Sequence, residues 1–237
     1  MIEIKGLSKH FGNVKVLDGV DLDIDEKGVV AVLGPNGSGK TTLIKSILGM
    51  VVPSEGDILF QGNSVKGKWA YRESIDYLPQ IARFPDNLTV RELFNMICDI
   101  RGRENIMEDD KLINLFDLRP HLNKKLGNLS GGTRQKVNII LAFSYNNSLM
   151  VLDEPTAGLD PVSLVHLKDI ILERKERGDT IIITTHIMSL VEELADRIVF
   201  LLEGKIYYRG TVNDIMEKAG KDGLERAIAE IIIKADA

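Results

Sequence analysis

Cysteine is almost missing from this chain: Cys98 is the single one in 237 residues. No disulfide can form within the chain, which suits a reducing compartment. Cys98 itself reads as a half-buried, unreactive thiol. Long apolar runs are missing too. The longest, at 139–143 and 198–202, fall far short of the ~18 residues that span a bilayer. The chain is therefore expected not to cross a membrane by itself. Its first residues, Met1-Ile2-Glu3-Ile4-Lys5, lack the basic-then-apolar pattern of an export signal. Basic excess is absent as well: 30 Lys and Arg stand against 35 Asp and Glu, a net charge of −5. That argues against bulk nucleic-acid binding, and no nucleic-acid partner is expected. Low-complexity tracts, long linkers and internal repeats are not found.

What remains is an ordinary globular composition, with 44% hydrophobic and 27% charged residues. A chain of this length can bury a sizeable core as one large domain, 1–237, with room for a subdomain. Val29-Val30-Ala31-Val32-Leu33 is a short apolar run stopped by Gly34-Pro35, which predicts a buried strand. Leu43, Ile44, Ile47 and Leu48 then share one face of a helix over 41–50. Further strands are expected at 75–78, 149–152, 180–185 and 197–202, with helices over 162–176 and 189–195 between the later ones. Such alternation predicts an α/β fold with a mainly parallel sheet. The stretches 56–62 and 203–209 have strand-turn character and suggest antiparallel additions. From Asn87 the pattern turns helical, with a helix start placed at Leu88, and 81–140 reads as an inserted helical subdomain. A helical tail is expected over 211–237. In it Leu224, Ala227, Ile228, Ile231 and Ile232 line one face, which reads as docked core.

Between the first apolar strand and its helix lies Gly34-Pro35-Asn36-Gly37-Ser38-Gly39-Lys40-Thr41, followed by Thr42. It matches G-x-x-x-x-G-K-[ST]. Glycines let the backbone curl so that several N–H groups point at phosphate oxygens. The helix beginning near Lys40 aims its positive end at the same anion. Lys40 reaches the terminal phosphates as a point charge, and the Thr41 hydroxyl suits Mg²⁺. A nucleoside triphosphate, ATP, is the expected ligand with Mg²⁺ as cofactor. Leu149-Met150-Val151-Leu152-Asp153-Glu154 is an apolar strand ending in two acids. Asp153 is the expected metal-side carboxylate, and Glu154 is placed to hold and polarise an attacking water. A solvated strand end is the bland alternative.

Leu129-Ser130-Gly131-Gly132-Thr133 supplies a hydroxyl and bare backbone N–H groups at a helix start, again a phosphate-gripping chemistry. Alone, an N-cap with a glycine turn would explain it equally well. Lying between the P-loop and the acidic strand, however, it resembles the signature motif of ATP-binding cassette (ABC) proteins. The fold this resemblance implies is a P-loop NTPase with a mainly parallel sheet, antiparallel β additions and a helical insertion. Thr133 departs from the family, where many members carry Gln; Gln135 lies nearby.

The same resemblance assigns further residues. Gln80, after Tyr77-Leu78-Pro79, resembles the glutamine that touches Mg²⁺ and water. Ala157-Gly158-Leu159-Asp160 resembles the loop that crosses a dimer interface. His186 resembles the switch histidine that contacts the γ-phosphate. Phe11 resembles the aromatic that stacks on adenine, with a core phenylalanine as its alternative, and Val16 flanks the base. Arg83, Phe84, Pro85 and Asp86 fall where transporter cassettes contact their membrane subunit.

The resemblance covers roughly 1–210. It implies an ATPase that pairs head-to-tail with a second cassette, a homodimer by default. Ser130, Gly131 and Gly132 of one copy then complete the P-loop site of the other. It also implies a separate membrane-spanning permease, and a location on the cytoplasmic face of the membrane. The stretch Asn87-Leu88-Thr89-Val90-Arg91-Glu92, the Gly158-Leu159-Asp160-Pro161 loop and the short tail resemble export-type cassettes. Among those, the chain also looks somewhat like ATPases of copper-processing or nitrous-oxide-reductase maturation exporters. A soluble cassette serving a non-transport machine, such as iron–sulfur cluster assembly, is the alternative function.

Overall fold

The chain is described from a computed structural model, over residues 1–25, 27–102, 110–219 and 223–235. β1 (Ile2–Phe11) and β2 (Val14–Ile24) open it as an antiparallel hairpin. β3 (Gly28–Leu33) runs into α1 (Lys40–Ile47), and β4 (Glu55–Phe60) and the short β5 (Asn63–Ser64) precede β6 (Ile75–Leu78). Among the described residues, the α-helices α2 (Val90–Arg101), α3 (Asp110–Leu115) and α4 (Gly131–Phe143) lie between β6 and β7 (Leu149–Asp153). Next come α5 (Pro161–Glu176), β8 (Thr180–Thr184), α6 (Met188–Leu194), β9 (Arg197–Leu202) and β10 (Lys205–Thr211). The described chain ends in α7 (Val212–Ala219) and α8 (Gly223–Ala235).

Two sheets result. The larger has the order β10-β9-β3-β8-β7-β6. Its strands β9, β3, β8, β7 and β6 are parallel, and β10 is antiparallel at one edge. The smaller is antiparallel, in the order β2-β1-β4-β5. All six residues of β3 are buried, as expected for a strand covered on both faces. Its alternation sorts the core. Val30 and Val32 join Val151, Ile182, Leu43 and Ile44 in a cluster with the antiparallel sheet. Val29 joins Leu152 and Ile183 on the opposite face, under α2, α4 and α5. Leu224, Ala227 and Ile228 of α8 cover Ala31, Leu33 and Phe200. The side chains of Ile231 and Ile232 lie outside the described residues.

The structure departs from the sequence reading at four points. The first helix after β6 starts at Val90, not at Leu88. Thr89 is its extended N-cap, closed by a capping box with Glu92, and the Leu88 carbonyl accepts from Leu126 N. A backbone engaged that way cannot enter the helix. Cys98 is buried at 6% exposure, not half-buried. The 56–62 stretch adds not to the parallel sheet but to the separate β-sheet, against β1. The β1–β2 hairpin has no counterpart in the sequence reading, because its pairing is interrupted by three register shifts that blur the two-residue period.

The edge strand β6 is fastened at its start. Arg174 of α5 donates to Asp76 Oδ2 at 3.2 Å and to the Tyr145 carbonyl at 2.7 Å. Burial pushes the Asp76 carboxyl up from its ordinary value, and the Arg174 charge opposes that rise. The charged pair thereby ties β6 to α5 and to the end of α4.

Candidate active site

The parallel strands deliver the site residues at one edge. Val32 of β3 lies beside Thr184 of β8, Thr184 beside Asp153 of β7, and Leu152 beside Leu78 of β6. The segments just past those strand ends carry the P-loop, His186, Glu154 and Gln80. Ligands of open α/β sheets bind at this carboxyl edge.

In the P-loop, Gly34, Ser38, Gly39 and Lys40 are buried, while Pro35, Asn36 and Gly37 are exposed. Thr41 and Thr42 are half-buried in the first turn of α1, and the Thr42 carbonyl accepts from Ser46 Oγ at 2.8 Å. Glycine is required by close approach. At Gly34 (φ 155°) a side-chain carbon would stand 2.1 Å from the Leu201 carbonyl, and at Gly39 (φ 105°) 2.8 Å from the Val16 carbonyl. The second contact puts β2 directly against the loop. Gly204 N donates to the Ser38 carbonyl at 3.1 Å, bracing the loop from the β9–β10 turn.

Two polar groups in this cradle fit an anion. The Lys40 ammonium donates to the carbonyls of Gly34 at 2.7 Å and Pro35 at 3.1 Å. Burial lowers its pKa, and the charges of Glu154 and then Asp153 pull it partly back. The Ser38 hydroxyl is buried with no hydrogen-bond partner among the described residues. A buried hydroxyl left so costs about 1–3 kcal/mol, which a phosphate oxygen would relieve.

Asp153 and Glu154 are both buried. Glu154 has φ 47°, a left-handed conformation that a side-chain-bearing residue adopts only when held there. Its carboxylate Oε1 lies 3.0 Å from His186 Nδ1, and His186 is largely exposed. Its amide donates to the Thr184 carbonyl and to the Thr184 hydroxyl, each at 3.1 Å. Gln80 is exposed beyond the end of β6. Tyr77 of β6 is pushed up to about 12 by burial and then by the Asp153 charge.

Phe11 is 51% exposed at the tip of the hairpin, which removes the core alternative. Lys9 Nζ lies 4.9 Å from its ring centroid. Val16 is half-buried on β2 beside the loop.

Ser130 N-caps α4, accepting from Thr133 N at 3.2 Å and sharing a 2.8 Å hydroxyl contact with Thr133 Oγ1. Ser130 and Gly131 are exposed and Gly132 half-buried. None of the hydrogen bonds of Ser130 among the described residues joins it to the P-loop of its own chain. Gln135, beside the Thr133 departure, is turned inward and donates to the Pro155 carbonyl at 3.0 Å. Asn138 donates to the Pro79 carbonyl at 2.9 Å, and Lys136 pairs with Asp160 at 2.9 Å. So α4 is tied to the segments carrying Gln80 and Glu154. Asp160 N-caps α5 through Ser163 N at 2.8 Å. That amide first, then Lys136 and the Ser163 hydroxyl, hold its carboxyl well below the usual range. Missed in the sequence reading were Thr184 and Asn138, which bear on the site only through contacts 30–59 residues away in sequence. No local pattern marks them.

A phosphate cradle at the end of a buried parallel strand, with an acidic pair on its neighbour, defines a P-loop nucleotide hydrolase. The family model of the ABC transporter matches residues 17–157. The chain is 35% identical over 219 residues to the xylose/arabinose import ATP-binding protein XylG of Sulfolobus acidocaldarius, covering 88% of this chain and 87% of that one. It is 33% identical over 225 residues to the Nod factor export ATP-binding protein I of a Rhizobium strain, covering 92% of this chain and 73% of that one. A solved ATP-binding subunit of an ABC transporter superposes with a TM-score of 0.88 at 30% identity, covering 98% of this chain and 99% of that one. The chain belongs to the ABC transporter ATP-binding family. It is an ATP-hydrolysing subunit of such a transporter, and among the described residues no helix is long and apolar enough to cross a membrane.

Proposed function

We propose that Mg-ATP occupies the P-loop of one copy and is closed off by Ser130, Gly131 and Gly132 of a second copy, head to tail. The observation that carries this is the division of the machinery. Lys40, Glu154 and His186 converge at one strand edge, while the exposed Ser130 is bonded to none of them. A two-fold pair of identical chains completes both sites with one sequence. Lys40 leaves the loop carbonyls for the β- and γ-phosphates, and Ser38 supplies a further donor. Glu154, fixed by His186, accepts a proton from the attacking water. His186 reaches the γ-phosphate from its exposed position, and Asp160 lies at the interface between copies.

Thr41, Asp153 and Gln80 offer a hydroxyl, a carboxylate and an amide oxygen, a donor set suited to a hard cation. No cluster of three acidic, His or Cys groups exists among the described residues to hold a metal alone. The phosphates would therefore supply the remaining ligands of Mg²⁺, whose charge offsets that developing on the γ-phosphoryl group.

Phe11 stacks on the adenine, with Val16 at its edge. Phe11→Ala is expected to weaken ATP binding by about 1–3 kcal/mol, the usual contribution of base–aromatic stacking. A fluorescent ATP analogue titration reads it, and GTP affinity should fall in parallel because stacking tolerates any base.

The permease contact we assign to a cavity of about 280 Å³ between β6 and the helices, lined by Tyr77, Ile81, Arg83, Phe84, Ile97 and Tyr145. Pro85 and Asp86 do not line it; Asp86 instead pairs with Arg134 at 3.2 Å. Tyr77 touches this cavity and senses the Asp153 charge, and Gln80 follows three residues later. That continuity supports coupling between nucleotide and partner.

The direction we propose is export, on the likeness of 87–92 and of the tail to export-type cassettes. The sugar-import relative is equally similar, so flux into proteoliposomes decides the direction. The reported relatives are named for sugar import and for Nod factor export, so the narrower copper-linked likeness carries no part of the proposal. Gentle solubilisation of tagged protein from its host membranes tests the whole. A stoichiometric partner with several membrane spans is expected. A soluble partner, with the cassette absent from membranes, would overturn the coupling and favour an assembly machine such as one building iron–sulfur clusters.

A further inference from the structure

Thr184 closes β8 and is fully enclosed, at 0% exposure. Its hydroxyl lies 2.5 Å from Asp153 Oδ1 and 3.1 Å from the Glu154 amide nitrogen. The donors are settled by chemistry. A carboxylate only accepts and an amide N–H only donates, so the Thr184 proton points to Asp153 and its lone pair receives Glu154 N–H. The Thr184 carbonyl accepts from the same amide at 3.1 Å. One residue of a neighbouring strand therefore grips both acids at once, and it does so where Glu154 takes its left-handed turn at φ 47°. The Glu154 N–H is thereby shared between two acceptors, both on Thr184.

From this geometry we infer that Thr184 is a positioning residue for catalysis. Its hydroxyl occupies one oxygen of Asp153, fixing that carboxylate and leaving the other oxygen for a cation to be held there. It also secures the Glu154 backbone, so that the Glu154 carboxylate stands against His186 and the attacking water. Thr184 is fully enclosed and acts through these two acids. Groups that orient a metal-binding side chain typically govern 10–100-fold in metal affinity or activity. The inference rests on Asp153 as the metal-side carboxylate and Glu154 as the base.

The test compares Thr184→Val, which keeps shape and loses the hydroxyl, with Thr184→Ser, which keeps the hydroxyl. Mn²⁺ affinity of the ATP-bound protein is read by electron paramagnetic resonance, turnover by phosphate release, and ATP affinity in EDTA by titration. Thr184→Val is expected to weaken Mn²⁺ binding and slow turnover, each by about 10–100-fold, with ATP affinity in EDTA unchanged. Thr184→Ser should restore both to within about threefold, because the one hydroxyl donor and its acceptor lone pairs are kept. Wild-type Mn²⁺ affinity and turnover in Thr184→Val would overturn the inference. So would a Thr184→Ser protein as impaired as Thr184→Val, since packing alone would then be responsible. Thermal melting of each variant shows whether it folds, and Thr184→Ser keeps the question open to decision if Thr184→Val does not. Asp153→Asn separates the two layers. If it weakens Mn²⁺ binding while Thr184→Val does not, only the role of Thr184 falls. If Asp153→Asn leaves Mn²⁺ binding intact, the assignment of the acid itself falls.

Discussion

Glu154→Gln is expected to bind ATP as tightly as the unchanged chain and to hydrolyse it about 10²–10⁴-fold more slowly, the usual cost of removing a positioned base. The substitution is nearly isosteric. It keeps the backbone bonds of Glu154 to Thr184, and the amide can still meet His186 Nδ1, 3.0 Å away. What it loses is the ability to take a proton from water. In the proposed assembly hydrolysis loosens the ATP-bound pair, so the variant should accumulate as an ATP-dependent dimer. Size-exclusion chromatography with and without ATP reads that directly, and phosphate release gives the rate. Near-normal hydrolysis would remove Glu154 from the reaction. Slow hydrolysis without any ATP-dependent dimer would leave the base in place and sink the head-to-tail assembly.

Lys40→Ala is expected to lose tight ATP binding. The Lys40 ammonium is held by two loop carbonyls and is buried beside the Glu154 and Asp153 charges. Phosphate oxygens would replace those carbonyls by charge-assisted bonds worth about 1.5–3 kcal/mol each. Two such bonds lost correspond to about 10²-fold or more in affinity. Without the Lys40 cation, the two acids face the phosphates with one positive charge fewer to offset their own, which adds to the loss. Isothermal titration with Mg-ATP measures it, and unchanged affinity would refute the phosphate-binding role. The fold should survive, because Lys40 only opens α1, which Leu43, Ile44 and Ile47 hold in the apolar core. Melting temperature checks that point.

Much of this protein is determined by local sequence. A buried strand, a glycine-rich turn and an amphipathic helix are each dictated by short-range sterics and by apolar period, and they stand together at 28–47. The same holds for the strand ending in Asp153 and for the helix capped by Ser130. Family order then extended the reading to Gln80, Asp160 and His186, none of which is distinguishable alone. The tertiary structure decided three other matters. It placed Phe11 in solvent rather than in the core, because the hairpin's tip extends past the sheet it pairs with. It turned Gln135 inward to Pro155 and left the Ser130 hydroxyl to Thr133, a choice made by the direction in which α4 leaves its cap. And it set the Thr184 hydroxyl between Asp153 and the Glu154 amide. Sequence spacing cannot reveal that contact, since strand order in a parallel sheet is chosen by the burial of whole faces, and only that order makes residues 30 positions apart into neighbours.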